Sequence, residues 1–178
     1  MKIFSNQVFN LAFIVLLIFV IGCNITSEKK ENDLSETNGE ITMKQNKLID
    51  FGNNYTKAWN SQKPENVASF FAIDGSLTVN NDNPSVGREA ITKLANGFMV
   101  AFPDLKLIMD SLVTKQNRTE YHWTFYGTNS GPNGTGKKVR FSGVERWKFT
   151  EEGLIQDSQG SFDSEEYEHQ LKYGVETQ

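Results

Sequence analysis

Two carboxylates in this chain sit where a carboxylate is costly, and both could move protons. Glu145 lies in "KKVRFSGVERWKF", Lys137 to Phe149. Alternate residues of a strand share a face, so Val139, Phe141, Gly143, Glu145, Trp147 and Phe149 point one way. Glu145 is the sole charge of that set, and a charge on an apolar face must be paired, protonated or functional. Arg88 or Arg118 would supply the pairing. Asp163 closes "GLIQDSQGSFD", Gly153 to Asp163, a stretch unusually polar for a terminal strand. If Ile155, Asp157, Gln159, Ser161 and Asp163 face inward, they give a polar wall to a cavity built otherwise from aromatics. Burial raises a carboxyl pKa toward the operating pH, as a general acid or base requires. A structural role competes: in "DSEE", Asp163 reads as a helix N-cap, with Glu166 completing a capping box.

Other chemistries find no support. His122 and His169 have no close-spaced partners, so a metal site is not expected. There is no G-x-S-x-G elbow and no phosphate-cradling loop; "GTNSGPNGTG" joins two strands as a hairpin. No cofactor is implied. His122 is out of phase with Tyr121, Trp123 and Phe125, which assigns it to an outer or dimer-forming face.

The elements that must position these groups follow from periodicity. Leu48, Phe51, Tyr55 and Trp59 recur at helical spacing, so Tyr55 and Trp59 can close a pocket from the helical side. Pro64 opens a second, short helix with Val67, Phe70 and Phe71 inward. "IDGS" reads as a turn, "SLTVN" as a short strand and "NNDNPSVG" as loop. A third helix carries Ile91, Leu94, Phe98 and Phe102 and stops at Pro103. Leu105 to Val113, Thr119 to Thr128, and Lys137 to Phe149 are strands, followed by the polar strand and a helical tail, "SEEYEHQLKYG". No crossover helices separate the later strands, so the class is α+β with helices on one face of the sheet.

The chain has 178 residues and a formal net charge of −4. Lys2 is the one charge in residues 1–22, so the remainder carries −4 − 1 = −5. That balance argues against nucleic acid as a partner. The single cysteine, Cys23, follows "LAFIVLLIFVIG", and "VIGC" resembles the lipobox of bacterial lipoprotein signal peptides. Residues 1–22 are expected to be the signal peptide. Residues 23–41, polar and charged, are expected to be a flexible tether on a lipidated Cys23. Residues 42–174 form the domain. The expected location is the bacterial cell envelope, periplasm-facing or at the outer membrane, with the membrane as a partner through the lipid alone.

"AFPDLKLIMDSL", "WTFYGTNSGP", "GLIQDSQGSFD" and "HQL", in that order, resemble the SnoaL-like polyketide cyclase branch of the nuclear transport factor 2-like superfamily. The resemblance spans roughly Leu48 to Leu171. It implies a cone-shaped curved antiparallel or mixed sheet wrapped around three N-terminal helices, with a short C-terminal helix. It also implies a pocket open at one end and a homodimer made through the sheet. Asp163 matches the catalytic Asp of that branch, with Glu145 or a tyrosine assisting. Tyr55, Trp59, Phe98, Tyr121, Trp123, Trp147, Asp157, Gln159 and Ser161 would contact a small, largely apolar molecule. Cofactor-free isomerisation, cyclisation or dehydration is the implied chemistry. Three positions depart from the pattern: Asn129 and Lys148 where the branch uses histidine, and Gln159 where tryptophan is common. A non-catalytic binding module stays open, and so does an interaction protein whose pocket is plugged by some of its thirteen phenylalanines.

Overall fold

The computed structural model describes residues 44–175. Cys23, the segment before it and the expected tether lie outside the described residues. Among the described residues, 46–175 belong to one compact unit. No helix among the described residues is long and apolar enough to cross a membrane.

Helix α1 is described over residues 44–60, and α2 spans Pro64–Ala68. Strand β1 runs Phe71–Val79, and the two-residue β2, Ser85–Val86, leads into α3, Gly87–Ala101. Strands β3 (Lys106–Lys115), β4 (Arg118–Thr128), β5 (Lys138–Phe149) and β6 (Ile155–Phe162) follow, then α4, Ser164–Tyr173. The six strands form one mixed sheet in the order β2-β1-β6-β5-β4-β3. β3 to β6 are antiparallel neighbours, while β1 lies parallel to β6 and fills the place beside it. The fold is α+β, a curved and unclosed sheet with the helices packed on it, as the sequence implies.

The expected turn "IDGS" is instead inside β1. Phe71 pairs with Ile155 and Ser76 with Asp157, so four residues of β1 bulge against a single residue of β6. Gly75 makes this bulge feasible: a Cβ there would lie 2.7 Å from the Ile155 carbonyl oxygen. β2 likewise occupies part of the expected loop. Phe71 belongs to β1 rather than to α2, and it is fully buried.

The inner face reads as rows across the sheet. Leu107, Phe125 and Phe141 form one row; Met109, Trp123, Gly143 and Phe162 the next; then Leu112, Tyr121, Glu145 and Gly160. Two of these positions are glycine, and their missing side chains are used differently. A Cβ on Gly143 would overlap the indole Cζ2 of Trp123, so that ring takes up the space. At Gly160 the nearest side-chain atom to such a Cβ is Glu145 Cγ at 3.6 Å, which leaves room beside the carboxyl.

A candidate active site around Glu145

β5 alternates an exposed outer face with a buried inner one, and the inner face carries Glu145, 6% exposed, between Tyr121 and Gly160 in its row. Its Oε2 accepts from the Ser158 hydroxyl at 2.7 Å, from Trp147 Nε1 at 3.0 Å and from the Tyr55 hydroxyl at 3.1 Å. Its Oε1 receives the same Tyr55 hydroxyl, at 3.3 Å. Among the described residues no cation pairs with it. Arg88 donates to the Phe71 carbonyl, and Arg118 is held by Asp157 at 2.6 Å and by the Arg146 carbonyl. The pairing expected from sequence is therefore absent, and three neutral donors hold the carboxyl instead. Burial pushes its pKa above the ordinary 4.5, and the bonds from Trp147, Ser158 and Tyr55 oppose that rise without cancelling it.

The donors are themselves fixed. Trp147 is fully buried and stacked on Tyr121, ring centres 4.7 Å apart and planes 16° from parallel. Tyr55 meets the Trp147 ring edge-on at 5.1 Å. Thr56 and Tyr121 share a hydroxyl contact of 2.7 Å, which anchors the far end of the stack to α1. Burial, then the nearby Glu145 charge, raises the Tyr55 phenol well above its usual value, so it stays a donor. Tyr121 is raised as well, again chiefly by burial.

Beside Glu145 lies a cavity of about 50 Å³, within a cleft of about 510 Å³ when the part open to solvent is included. Its wall is formed by Trp59, Leu77, Val79, Leu94, Phe98, Leu107, Trp123, Phe125, Phe141, Glu145, Gly160, Ser161 and Phe162. Glu145 is the one ionisable member. Leu94, Phe98, Val79, Ser161 and Phe162 are its partly exposed members, so the mouth lies between α3 and the ends of β1 and β6. The indole nitrogens of Trp59 and Trp123 are buried with no hydrogen-bond partner in the protein. Trp59 Nε1 approaches the Tyr55 hydroxyl and opposes the rise in its pKa, without the geometry of a formed bond.

The profile of the SnoaL-like polyketide cyclase family matches residues 50–171. This chain belongs to that family. Solved structures agree on the fold. AclR from Streptomyces galilaeus is 22% identical with a TM-score of 0.59, over 73% of this chain and 83% of its own. A SnoaL-like polyketide cyclase from Jannaschia sp. CCS1 is 12% identical with a TM-score of 0.57, over 62% and 80%. SalBIII, an epoxide hydrolase/cyclase-like enzyme of pyran ring formation in salinomycin, is 16% identical with a TM-score of 0.58, over 68% and 95%. No curated protein matches the chain.

Within this SnoaL-like domain the sequence-derived site is partly regrouped. Trp59, Phe98, Trp123 and Ser161 border the cavity, while Tyr55, Tyr121 and Trp147 stand behind Glu145 and hold it. Asp157 and Gln159 are on the opposite face. Asp157 pairs with Arg118 and accepts from Ser76 at 3.3 Å, and Gln159 is exposed. The cause is a register shift in β6: Ile155 pairs with Phe149 and Asp157 with Lys148, so the strand changes phase after Ile155. Ser158, Gly160 and Phe162 then face inward, and strict alternation from Ile155 misses all three. Ser161 borders the cavity, but its hydroxyl accepts from Arg146 at 3.4 Å.

Asp163 is exposed and accepts from the Glu166 amide at 3.0 Å, the geometry of a helix N-cap. It does not border the cavity. Glu166 does not close a capping box; its carboxylate accepts from Gln170 Nε2 at 2.6 Å. His122 is on the outer face near Glu120, at 3.3 Å.

Proposed function

We propose that this SnoaL-like domain binds a small, largely apolar molecule in the cavity and transfers a proton within it, with Glu145 as acid and base. The observation that carries the reading is a buried carboxyl with no cationic partner among the described residues, set in the wall of an apolar cavity. Such a group gains basicity from desolvation and has its pKa moved toward neutrality. Three donors occupy Oε2, so Oε1 is the oxygen with lone pairs to spare. The step takes a proton from a carbon acid to Oε1 and returns it to the same or a neighbouring carbon. No electrons are gained or lost, and no cofactor is needed. The ring-forming enzyme SalBIII shares the fold, which places cyclisation beside isomerisation and dehydration among the reactions to test. In this reading Asp163 positions α4.

A general test uses acetophenone in D2O, following loss of its methyl proton signal by NMR. The chain should accelerate the exchange above buffer, and Glu145→Gln should return it to the buffer rate. Asp163→Asn, which keeps a capping side chain, should exchange as fast as the unaltered protein. Exchange insensitive to Glu145→Gln would remove the catalytic part of the proposal. A cavity of only about 50 Å³ favours one other reading, a pocket filled by its own aromatics that presents a surface to another protein. The carboxyl in the wall weighs against it, because an aromatic plug has no use for a buried ionisable group.

The proposal also includes the envelope setting: a lipidated Cys23, a tether over residues 23–41, and a homodimer formed through the sheet. Support comes from the "VIGC" sequence after an apolar run too short to span a bilayer of about 20 helical residues. Cys23→Ser should move the protein from the membrane fraction to the soluble one. Retention in the membrane would contradict lipid anchoring.

A further inference from the structure

The cavity beside Glu145 is too small to hold a whole substrate of ordinary size. A single water needs roughly 10–15 Å³, so a cavity of about 50 Å³ takes only a few non-hydrogen atoms. Any larger occupant must protrude through the mouth. What it meets outside is set by α3. Leu94 and Phe98, which border the mouth, also line a second and more open groove of about 180 Å³, together with Gly97, Ala101, Phe102 and Tyr167. The two hollows therefore adjoin along α3, and no charged side chain lines the second.

The sequence of α3 accounts for the groove. Ile91, Ala95 and Met99 are its buried residues. Leu94, Gly97, Phe98 and Ala101 recur at i, i+3, i+4 and i+7, which makes a second apolar stripe beside the buried one. Leu94, Phe98 and Ala101 are half-buried, and Gly97 is exposed. From α4, Tyr167 packs on Phe141 and Phe162, both walls of the cavity, at 5.0 and 5.5 Å.

Gly97 is the residue of this stripe that packing does not explain. A glycine inside a helix costs stability relative to alanine. It is repaid where a side chain would collide with a neighbour, or where φ is positive. Neither holds at Gly97. Apart from its chain neighbours and its own helix backbone, no atom lies within 4 Å of a Cβ built there, and its φ is not positive. A long side chain at this lining position would take up part of the groove.

We infer that the groove between α3 and Tyr167 continues the binding site, and that Gly97 sets the length of ligand it accepts by keeping that path open. The substrate class is then an elongated molecule: a small reactive head beside Glu145, joined to an uncharged apolar chain that leaves the mouth past Leu94 and Phe98 and lies over Gly97 and Ala101. This deepens the proposed function and rests on it, since the head must occupy the cavity before the chain can reach the groove.

The test measures binding of acetophenone and 4-pentylacetophenone to the full chain; the two probes share a head and differ only by the chain. A buried methylene tightens binding about fourfold, so with half of the pentyl group covered the longer probe should bind roughly thirtyfold tighter. Gly97→Leu should remove most of that gain and leave the acetophenone affinity unchanged. It should also raise the melting midpoint, because leucine is much the better helix former. Lost binding in a more stable protein cannot be put down to misfolding. A pentyl gain that survives Gly97→Leu would mean that the chain lies elsewhere, and would overturn the inference. Equal affinities of the two probes would overturn it as well, while leaving the cavity a site for small molecules. No binding of either probe would overturn the inference together with the reading on which it rests.

Discussion

Glu145→Gln should stabilise the protein at pH 8 and lose that advantage as the pH falls to about 4.5. The sign follows from burial. The folded-state pKa of Glu145 lies above its ordinary value, because desolvation outweighs three hydrogen bonds. Between the ordinary value and the raised one, the unfolded chain has released a proton that the folded chain still holds. Stability therefore falls with rising pH across that window, and it is fully present below it. Each unit of rise is worth about 1.4 kcal/mol. Glutamine carries no such dependence, and its oxygen can take the place of Oε2 among Ser158, Trp147 and Tyr55. Melting midpoints of the two proteins between pH 4.5 and pH 8 make the check. The same substitution should abolish proton exchange, so one change would make the protein more stable and inactive. A residue retained for packing would show the reverse: lower stability at every pH.

Trp147→Ala should have the largest effect on stability, about 3–5 kcal/mol, as for other buried aromatics cut back to alanine. The ring is fully buried, stacks on Tyr121, and meets Phe51, Tyr55 and Phe149 edge-on at 5.6, 5.1 and 5.9 Å. Removing it also takes away a donor that lowers the Glu145 pKa, so the carboxyl should titrate higher still. Trp147→Phe separates the two roles. It keeps most of the ring contacts but not the N–H, so it should cost much less stability and still raise the Glu145 pKa. Urea unfolding and a carboxyl titration of both variants would measure this. A loss below about 1 kcal/mol for Trp147→Ala would mean the aromatic stack does not carry the site.

Much of the fold was legible because its signals are local. The helical spacing of Tyr55 and Trp59, and the alternation from Val139 to Phe149, predict the faces that are buried. The motifs that carried the family resemblance turn out to be joints. Asp104 of "FPD" accepts from the amide and hydroxyl of Thr128 in "GT", at 2.6 and 2.7 Å. Gln170 of "HQL" exchanges bonds of 2.6 and 2.8 Å with the backbone of Arg140 on β5. Motifs of this kind speak for the fold and say little about chemistry.

The site was legible only where alternation held. Glu145 stood out on β5 because that strand keeps its period through the whole inner row. β6 does not, since its phase changes after Ile155, and an irregularity of one residue reverses every later side chain. Asp157 and Gln159 were thereby placed inside, and Ser158, a donor to Glu145, was placed outside. The β1 bulge escaped for a related reason: "IDGS" has turn chemistry, and only the approach to Ile155 shows why Gly75 sits within a strand. Asp163 was ambiguous in sequence because capping and catalysis ask for the same residue at the end of the same strand. The Glu166 amide decides in favour of the cap.

The most direct measurement is a 13C titration of the Glu145 side-chain carboxyl, assigned by comparison with Glu145→Gln. A midpoint clearly above 4.5, in a protein that stays folded across the range, is the result this account predicts. A midpoint at or below the ordinary value would mean that the donors, or water entering the cavity, hold the charge comfortably. Glu145 would then be a solvated structural carboxylate, and proton transfer in the cavity would have no base.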